Sequence, residues 1–202
     1  MMLDLSGRLV VIIGGGGVAA RKAAGLLAAG ALRVKVIAPE ICDAVPQAAE
    51  RVLEEYLPRH LDGAGLVFAA TDRAEVNAAV VRDAHRLGLL VNRADSGEED
   101  AGDFSTPAVL REEELVVTVS AGGNPTLAAA IRDDLQTRMD ARWLKLARAM
   151  KVLRPRAQQE TSGEVRRALL LDMATPGAMD VLDKDGVDGL WEWLRKRHMK
   201  DL

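Results

Sequence analysis

The architecture of this chain follows from one run of residues, Leu9-Val-Val-Ile-Ile-Gly-Gly-Gly-Gly-Val-Ala-Ala-Arg-Lys22. Val10 to Ile13 are β-branched and apolar, which predicts a strand buried on both faces of a parallel sheet. Four glycines follow directly, and the alanine-rich residues 18–30 predict a helix. A strand, a glycine turn and a helix in this order form the opening unit of a dinucleotide-binding fold.

The glycines have the spacing Gly14-x-Gly16-x-x-Ala19, which fits the pattern of dinucleotide-binding turns. Gly14 is expected to allow the tight turn, Gly16 to let a pyrophosphate approach the backbone, and Ala19 to let the helix pack against the strand. The helix N-terminus would then offer free N–H groups and a partial positive charge to the phosphates. The alternative interpretation is a glycine-rich strand–helix turn that holds no ligand.

Composition limits the classes of function. The 202 residues are 49% hydrophobic and 28% charged, as expected for one or two globular domains. The net charge of −3 argues against a nucleic-acid-binding surface. The single cysteine, Cys42, cannot form an internal disulfide, which favours a reducing, cytoplasmic location. No signal-peptide layout and no membrane span are predicted, and the three scattered histidines predict no metal site.

Strands and helices alternate through the first half of the chain. Strands are predicted at residues 33–37, 66–70 and 89–91, and helices at residues 41–53, where Pro46 interrupts, and 74–87. Such β-α units form a parallel sheet, whose ligands bind beyond the carboxyl ends of the strands. The residues expected to converge there are the glycine loop, Thr71-Asp72 and the segment Asn92–Asp95.

Pro39 and Glu40 end the second predicted strand, where an acid often contacts the adenosine ribose. Glu40 either takes that role or is a solvated loop residue. No arginine follows it directly to hold a 2′-phosphate, which favours NAD over NADP.

The alternating pattern stops near residue 104. Phe104–Leu110 and Leu115–Val119 are predicted as two antiparallel strands, followed by a helix over residues 126–150. A two-stranded ribbon is only marginally stable alone, so this β-β-α piece is expected to pair with another subunit. The rest is predicted helical, with breaks at residues 154–155, 161–163, 175–177 and 184–186.

Several ordered motifs together resemble one family. They are Gly14-Gly-Gly-Gly-Val-Ala-Ala-Arg-Lys22, Ile37-Ala-Pro39, Ala69-Ala-Thr-Asp72 with Val76-Asn77, Val91-Asn-Arg-Ala-Asp95, Phe104-x-x-Pro107-Ala108 and Ser120-x-Gly-Gly-x-Pro125. The sequence is similar to the precorrin-2 dehydrogenases, the sirohaem-synthase module that in some members is also a sirohydrochlorin ferrochelatase. The resemblance covers residues 1–140 closely. The chain's length leaves no room for the methyltransferase module of the trifunctional form, which is therefore not expected.

The resemblance implies NAD-dependent oxidation of the tetrapyrrole precorrin-2 to sirohydrochlorin, and leaves open whether ferrous iron is also inserted as a substrate. It implies that Asp95 is the catalytic base and that Asn92 and Ser120 line the substrate cleft. Residues implied to hold NAD are Gly14, Gly16, Gly17, Val18, Pro39, Glu40, Ala70 and Thr71. The expected fold is α/β: a Rossmann-like domain at 1–104, a β-β-α homodimerisation unit at 105–140 and a helical domain at 141–202 that covers the substrate.

Three departures from the family pattern leave alternatives open. Leu32-Arg33 contains one residue more than usual before the second strand, which leaves open a shift of one residue in the Pro39 and Glu40 matches. Ala121 and Asn124 replace hydroxyl residues in a shortened Ser120 loop. Arg93 replaces a usually apolar residue, and either pairs with a substrate carboxylate or points to solvent.

Without the resemblance, Asp95 has a second interpretation, as a residue that caps a helix or forms a turn after a strand. A nucleotide-sensing regulatory module without catalysis is the alternative function.

Overall fold

The computed structural model describes residues 3–94, 102–113 and 115–199. The chain divides into two compact units, Met1–Thr106 and Pro107–Leu202. The predicted further division near residue 140 stays a prediction. Among the described residues, no helix is both long and apolar enough to cross a membrane.

The first unit is a parallel sheet with flanking helices. Its elements are β1 (Leu9–Ile13), α1 (Gly17–Ala28), β2 (Arg33–Ile37), β3 (Glu50–Val52), a short 3-10 helix (Pro58–Leu61), β4 (Ala64–Ala69), α2 (Ala74–Arg86) and β5 (Val91–Arg93). The strands lie in the order β3-β2-β1-β4-β5, and every pairing is parallel. Because the chain starts in the middle strand and builds outward in both directions, a crevice forms between the ends of β1, β2 and β4. The predicted Rossmann-like fold is confirmed.

The central strand is buried along its whole length. All five residues of β1 are buried, and their side chains enter the cores on the two sides of the sheet. Val10 and Ile12 pack with α1, whereas Val11 and Ile13 pack with α2. The β-branched run therefore forms a strand because both of its faces find apolar cover.

The helix predicted at residues 41–53 is wrong. The segment forms isolated turns and then the short edge strand β3. Pro46 cannot donate a backbone hydrogen bond, and the Cys42 amide instead donates to the Gly15 carbonyl at 2.9 Å. Val45 and Ala49 are buried, so the apolar residues that indicated a helix are used to anchor a loop.

The edge strand β5 lies two residues later than the predicted strand at 89–91. Its far side is covered by the segment at residues 102–104, where Gly102 forms an antiparallel bridge with Asn92. The Asp103 amide donates to the Val91 carbonyl, and its carboxylate accepts from the Val91 amide at 2.9 Å. A side chain at Gly102 would overlap the Val91 carbonyl oxygen. These contacts close the sheet edge.

The second unit begins with an antiparallel hairpin packed on a helix. Its elements are β6 (Ala108–Glu112), β7 (Leu115–Val119), α3 (Pro125–Arg138), α4 (Arg142–Glu160), α5 (Gly163–Asp172) and α6 (Pro176–His198). The β-β-α order is as predicted, although the first strand starts four residues later than expected. The single helix predicted over residues 126–150 is two helices, separated at residues 139–141.

Helices α4 to α6 enclose a core of their own. Leu153, Leu169 and Trp191 are fully buried in it. The predicted break at Pro155 is wrong, because α4 continues through this residue to Glu160. The predicted breaks at residues 161–163 and 175–177 separate the helices. Gly186, with φ 72°, makes a kink within α6.

Candidate functional site

A cleft of about 600 Å³ lies at the carboxyl edge of the sheet in the first unit. All eight residues predicted to hold the cofactor line it: Gly14, Gly16, Gly17, Val18, Pro39, Glu40, Ala70 and Thr71. The cleft therefore brings together the ends of β1, β2 and β4 with the start of α1.

Gly14 makes the tight turn after β1. Its φ is 127°, a conformation that residues with side chains rarely adopt. Its amide donates to the Ile37 carbonyl at 2.9 Å, and a side chain at this position would overlap the Ala70 carbonyl oxygen. Gly14 thus lets the turn fit between the ends of β2 and β4, as predicted.

Gly15 fits more tightly against the protein than sequence reasoning expected. A Cβ at this position would overlap the carbonyl oxygen of Glu40 and contact the Ala38 side chain. Any larger residue would therefore displace the backbone that carries the predicted ribose-binding acid. The G-x-G spacing gave no signal for this contact, because Gly15 occupies the variable position of the pattern.

Gly16 caps α1 and faces open space. A Cβ at this position would meet no protein atom within 4 Å. The first helical bond runs from the Ala20 amide to the Gly16 carbonyl, so the preceding amides of α1 lack an intrahelical acceptor. No side chain caps this end, and the first turn contains no acid. The N-terminus of α1 therefore suits an anionic group such as a pyrophosphate.

Asn77 holds the loop that follows β4. Its side chain is fully buried, and its Oδ1 accepts from the Thr71 amide at 3.1 Å and from the Thr71 hydroxyl at 2.8 Å. Its Nδ2 donates to the Thr71 carbonyl at 2.9 Å. One buried amide thus satisfies three polar groups of a residue that lines the cleft. This gives a physical reason for the pairing of Ala-Ala-Thr-Asp with Val-Asn in the sequence.

The end of the cleft next to β2, where the sequence predicts the adenosine ribose, contains two residues that the sequence analysis did not predict. Glu40 and Pro39 are exposed at the end of β2, whereas Glu55 and Tyr56 approach from the loop after β3. The Tyr56 hydroxyl donates to Asp83 at 2.9 Å, and burial together with this bond raises the tyrosine's pKa. These two residues escaped notice because they follow a strand that the sequence did not predict.

Asn92, predicted to bind substrate, is nearly fully buried in β5. Its Nδ2 donates to the Phe104 carbonyl at 2.6 Å, and its Oδ1 accepts from Lys22 at 2.9 Å. The observed contacts of this side chain therefore join β5 to α1 and to the segment before β6. Arg93 is partly buried in the same strand.

The two remaining predicted residues, Asp95 and Ser120, do not belong to the described part of the first unit. Asp95 lies outside the described residues. Ser120 belongs to the second unit, where it is exposed after β7. Asn124, which stands where the family has a serine, accepts from the Leu127 amide at 2.9 Å and caps α3. Within residues 3–94, 102–113 and 115–199, no group of His, Cys, Asp or Glu could hold a metal ion.

A glycine turn, an uncapped helix N-terminus and a crevice at the centre of a parallel sheet define a nucleotide-binding protein of the Rossmann class. The chain belongs to the putative NAD(P)-binding family, whose model matches residues 1–108.

Curated relatives extend the similarity beyond this unit. The chain is 36% identical over 200 residues to siroheme synthase 2 of Aeromonas hydrophila, an alignment that covers 96% of the chain and 42% of the relative. It is 43% identical over 154 residues to siroheme synthase of Chromobacterium violaceum, covering 73% of the chain and 32% of the relative. The chain thus spans about a third to two fifths of the length of these proteins.

A solved structure shares the fold over the whole chain. It is SirC, a precorrin-2 dehydrogenase, with a TM-score of 0.76 and 23% sequence identity. The match covers 97% of this chain and 98% of that one. It supports the predicted order of a parallel-sheet unit, a β-β-α piece and C-terminal helices.

Proposed function

We propose that the protein oxidises precorrin-2 to sirohydrochlorin, with NAD as the hydride acceptor. The observation that carries this proposal is the nucleotide cleft at Gly14–Val18 in a chain similar to siroheme synthases over 96% of its length. The fold shared with SirC, itself a precorrin-2 dehydrogenase, supports the same activity.

The cleft fits a dinucleotide. The open approach at Gly16 and the free amides at the start of α1 suit the pyrophosphate, and Glu40 suits a ribose hydroxyl. We favour NAD over NADP because Glu40 and Glu55 both line the adenosine end, where a 2′-phosphate would meet like charge. When bound, NAD supplies the hydride acceptor.

The chain's own residues must orient the tetrapyrrole and take up a proton. We assign the proton to Asp95, because in the sequence it comes two residues after Arg93, the last residue of β5, and has the family's Asn-x-x-Asp spacing. Asn92 and Ser120 remain proposed substrate residues. The bonds of Asn92 to Lys22 and to the Phe104 carbonyl use one acceptor site and one N–H of its side-chain amide, which has a second of each for contact with substrate.

Turnover separates this proposal from a regulatory nucleotide sensor. Purified protein is mixed with precorrin-2 and NAD, and the formation of NADH and sirohydrochlorin is followed by absorbance. The proposal predicts both products. A protein that binds NAD but reduces none with precorrin-2 would be a sensor.

Insertion of ferrous iron into sirohydrochlorin is the second activity that the family resemblance leaves open. The names of the curated relatives favour it, since each is a siroheme synthase. The same preparation, supplied with sirohydrochlorin and Fe²⁺, should form sirohaem faster than a protein-free control if this activity is present.

We also propose that the second unit forms a homodimer. Leu127, Ile131 and Leu135 recur every four residues on α3 and are 50%, 38% and 41% exposed. Beside them, the hairpin and the helices enclose an apolar hollow of about 340 Å³ that includes Trp143. An apolar stripe continuous with such a hollow is typical of a surface that a second copy covers.

Light scattering tests the dimer. The wild-type protein should have about twice the chain mass of 21.7 kDa at micromolar concentration. Ile131→Glu should give monomers, because it buries an unpaired charge in the contact. Leu171→Glu, on the exposed face of α5, is the matched control and should leave the dimer intact. A monomeric wild type would contradict the proposal.

A further inference from the structure

Lys22 is a half-buried cation beside the cofactor cleft. It lies on α1, four residues after Val18, which lines the cleft. Residues four apart share one face of a helix, so Lys22 stands one turn along α1 from the cleft. The cofactor assignment gives it no role.

Neutral groups hold the Lys22 ammonium in place. Its Nζ donates to Asn92 Oδ1 at 2.9 Å and to Thr106 Oγ1 at 2.7 Å, and it lies 5.2 Å from the centre of the Phe68 ring. The Asn92 amide is itself fixed by its bond to the Phe104 carbonyl, so its oxygen is aimed at Lys22. A lysine ammonium has three donors, and these contacts use two of them.

The charge of Lys22 is not neutralised by the residues that the structure describes. The two groups that accept hydrogen bonds from its ammonium, Asn92 Oδ1 and Thr106 Oγ1, are both uncharged. Among the described residues, Lys22 forms no ion pair. Burial, and then the nearby charge of Arg21, lowers the pKa of Lys22 to about 8. Holding a desolvated cation without a carboxylate is costly, and such groups are frequent at binding sites.

Position indicates which anion Lys22 would meet. Asn92 lies in β5, directly before the residues at the carboxyl edge of the sheet, on the side away from the adenosine end of the cleft. In this fold the reacting half of the dinucleotide, and with it the substrate, lies toward that side. The proposed substrate is a tetrapyrrole whose peripheral groups are carboxylates, which pair well with an ammonium.

We propose that Lys22 binds a peripheral carboxylate of the tetrapyrrole through its remaining N–H, while Asn92 and Thr106 hold the ammonium in position. This inference rests on the proposed function. It assigns Lys22 to substrate recognition rather than to proton transfer or to cofactor binding.

The first test measures affinity for uroporphyrin III, a stable porphyrin with carboxylates around its periphery. Lys22→Met keeps the length of the side chain and removes the charge. It should weaken uroporphyrin binding about 10- to 100-fold, the range for a hydrogen bond to a charged group. NAD affinity should stay near wild type, whereas the melting temperature should fall by roughly 2–8 °C, because the buried Asn92 oxygen loses its partner.

Lys35→Met is the matched control. Lys35 lies on β2, where it pairs with Glu50 at 3.0 Å, and its loss removes the same charge from the same unit. This variant should bind uroporphyrin as the wild type does. If both variants lose affinity equally, the effect comes from overall charge, and the assignment of Lys22 is wrong.

The second test uses pH, because a structural lysine and a carboxylate-binding lysine differ in this respect. An ammonium binds a carboxylate only while protonated, so wild-type affinity should be full below a pH of about 8 and fall as the pH rises through it. Lys22→Arg should keep affinity and lose this fall, because arginine stays charged.

The charged residues on the elements around Lys22 are the same in the wild type and in Lys22→Arg. They are Arg21 on α1, Arg93 on β5 and Asp103, whose carboxylate lies 3.2 Å from His85. The difference between the two pH profiles therefore reports Lys22 itself. Identical profiles for wild type and Lys22→Arg would overturn the proposal.

The outcomes also separate this inference from the proposed function. If wild type binds neither uroporphyrin nor precorrin-2, the proposed function fails. If wild type binds and Lys22→Met binds equally well, only the role of Lys22 fails. A Lys22→Met variant that loses NAD affinity as well would assign Lys22 to the structure of the cofactor site.

Discussion

The two units of this chain bury their apolar residues to different extents. In the first unit, every residue of β1 is buried and the neighbouring strands are covered on both faces. In the second unit, Leu110 is the one residue of the described hairpin strands that is buried, and α3 exposes three large apolar side chains. The sheet of the first unit therefore finds its apolar cover within one chain, whereas the hairpin and α3 present a surface suited to a partner.

This difference also separates the two proposed roles. Polar groups of the first unit converge at the carboxyl edge of a rigid sheet, where a cofactor can be held with precision. The second unit presents an apolar surface, which suits assembly. Substitutions in the two units should therefore change different measured quantities.

The largest effect is expected on the rate at which precorrin-2 is oxidised. Asp95→Ala should lower turnover of precorrin-2 by roughly 10²–10⁴-fold, the usual contribution of a general base. Asp95→Asn should be nearly as slow, since it keeps the shape but cannot take the proton. NAD binding and the dimer should be unaffected.

Glu98→Gln is the control for Asp95, because it changes another acid close in sequence. It should turn over at a near wild-type rate. If Asp95→Asn retains more than about a tenth of the wild-type rate, Asp95 only positions substrate and the base lies elsewhere.

A smaller but still large effect is expected on cofactor affinity. Gly16→Asp places a negative charge at the open N-terminus of α1, where like charge against a phosphate costs several kcal/mol. Calorimetry should show NAD affinity reduced by about 100-fold or more, with the fold intact. Gly25→Asp makes the same change on an exposed position of the same helix and should bind NAD normally. Equal affinity in both variants would exclude the glycine turn as the pyrophosphate site.

The smallest effects are expected on the free energy of unfolding, with one substitution in each unit. Asn77→Ala leaves the partly buried amide and carbonyl of Thr71 without their partner, which should cost about 1–3 kcal/mol in urea unfolding followed by circular dichroism. Asn77→Ala should also weaken NAD binding, because Thr71 lines the cleft.

Asn124→Ala is the counterpart in the second unit. It removes the cap of α3 and should cost about 1 kcal/mol. All three tryptophans lie in this unit, so their fluorescence reports its unfolding. Asn124→Ser should recover most of the loss. Stability unchanged in Asn124→Ala would show that the cap contributes nothing.

The parts of the structure that could be predicted from sequence are those with a short-range cause. The buried strand at residues 9–13 and the turn at Gly14 follow from adjacent residues, and the cleft contains all eight predicted cofactor residues. The roles of Gly15 and Tyr56 depend on contacts with the segment after β2 and with α2, which no local pattern reveals.

The errors have similar causes. Residues 41–53 have apolar residues at helical spacing, but Pro46 and the bond from Cys42 to Gly15 favour a loop. Pro155 was expected to end a helix, yet the core around Leu153 and Ala157 keeps α4 continuous on both sides of it. In both segments, packing decided between conformations that the local sequence allowed.

The stoichiometry of the reaction tests the proposed NAD-dependent oxidation most directly. Precorrin-2 and NAD are incubated with wild-type protein and with Gly16→Asp, and NADH and sirohydrochlorin are measured together. We expect equal amounts of the two products in wild type, and loss of both in Gly16→Asp while tetrapyrrole binding persists. Sirohydrochlorin formed at the wild-type rate without NAD, or by Gly16→Asp at an equal rate, would contradict the proposed role of the cofactor cleft.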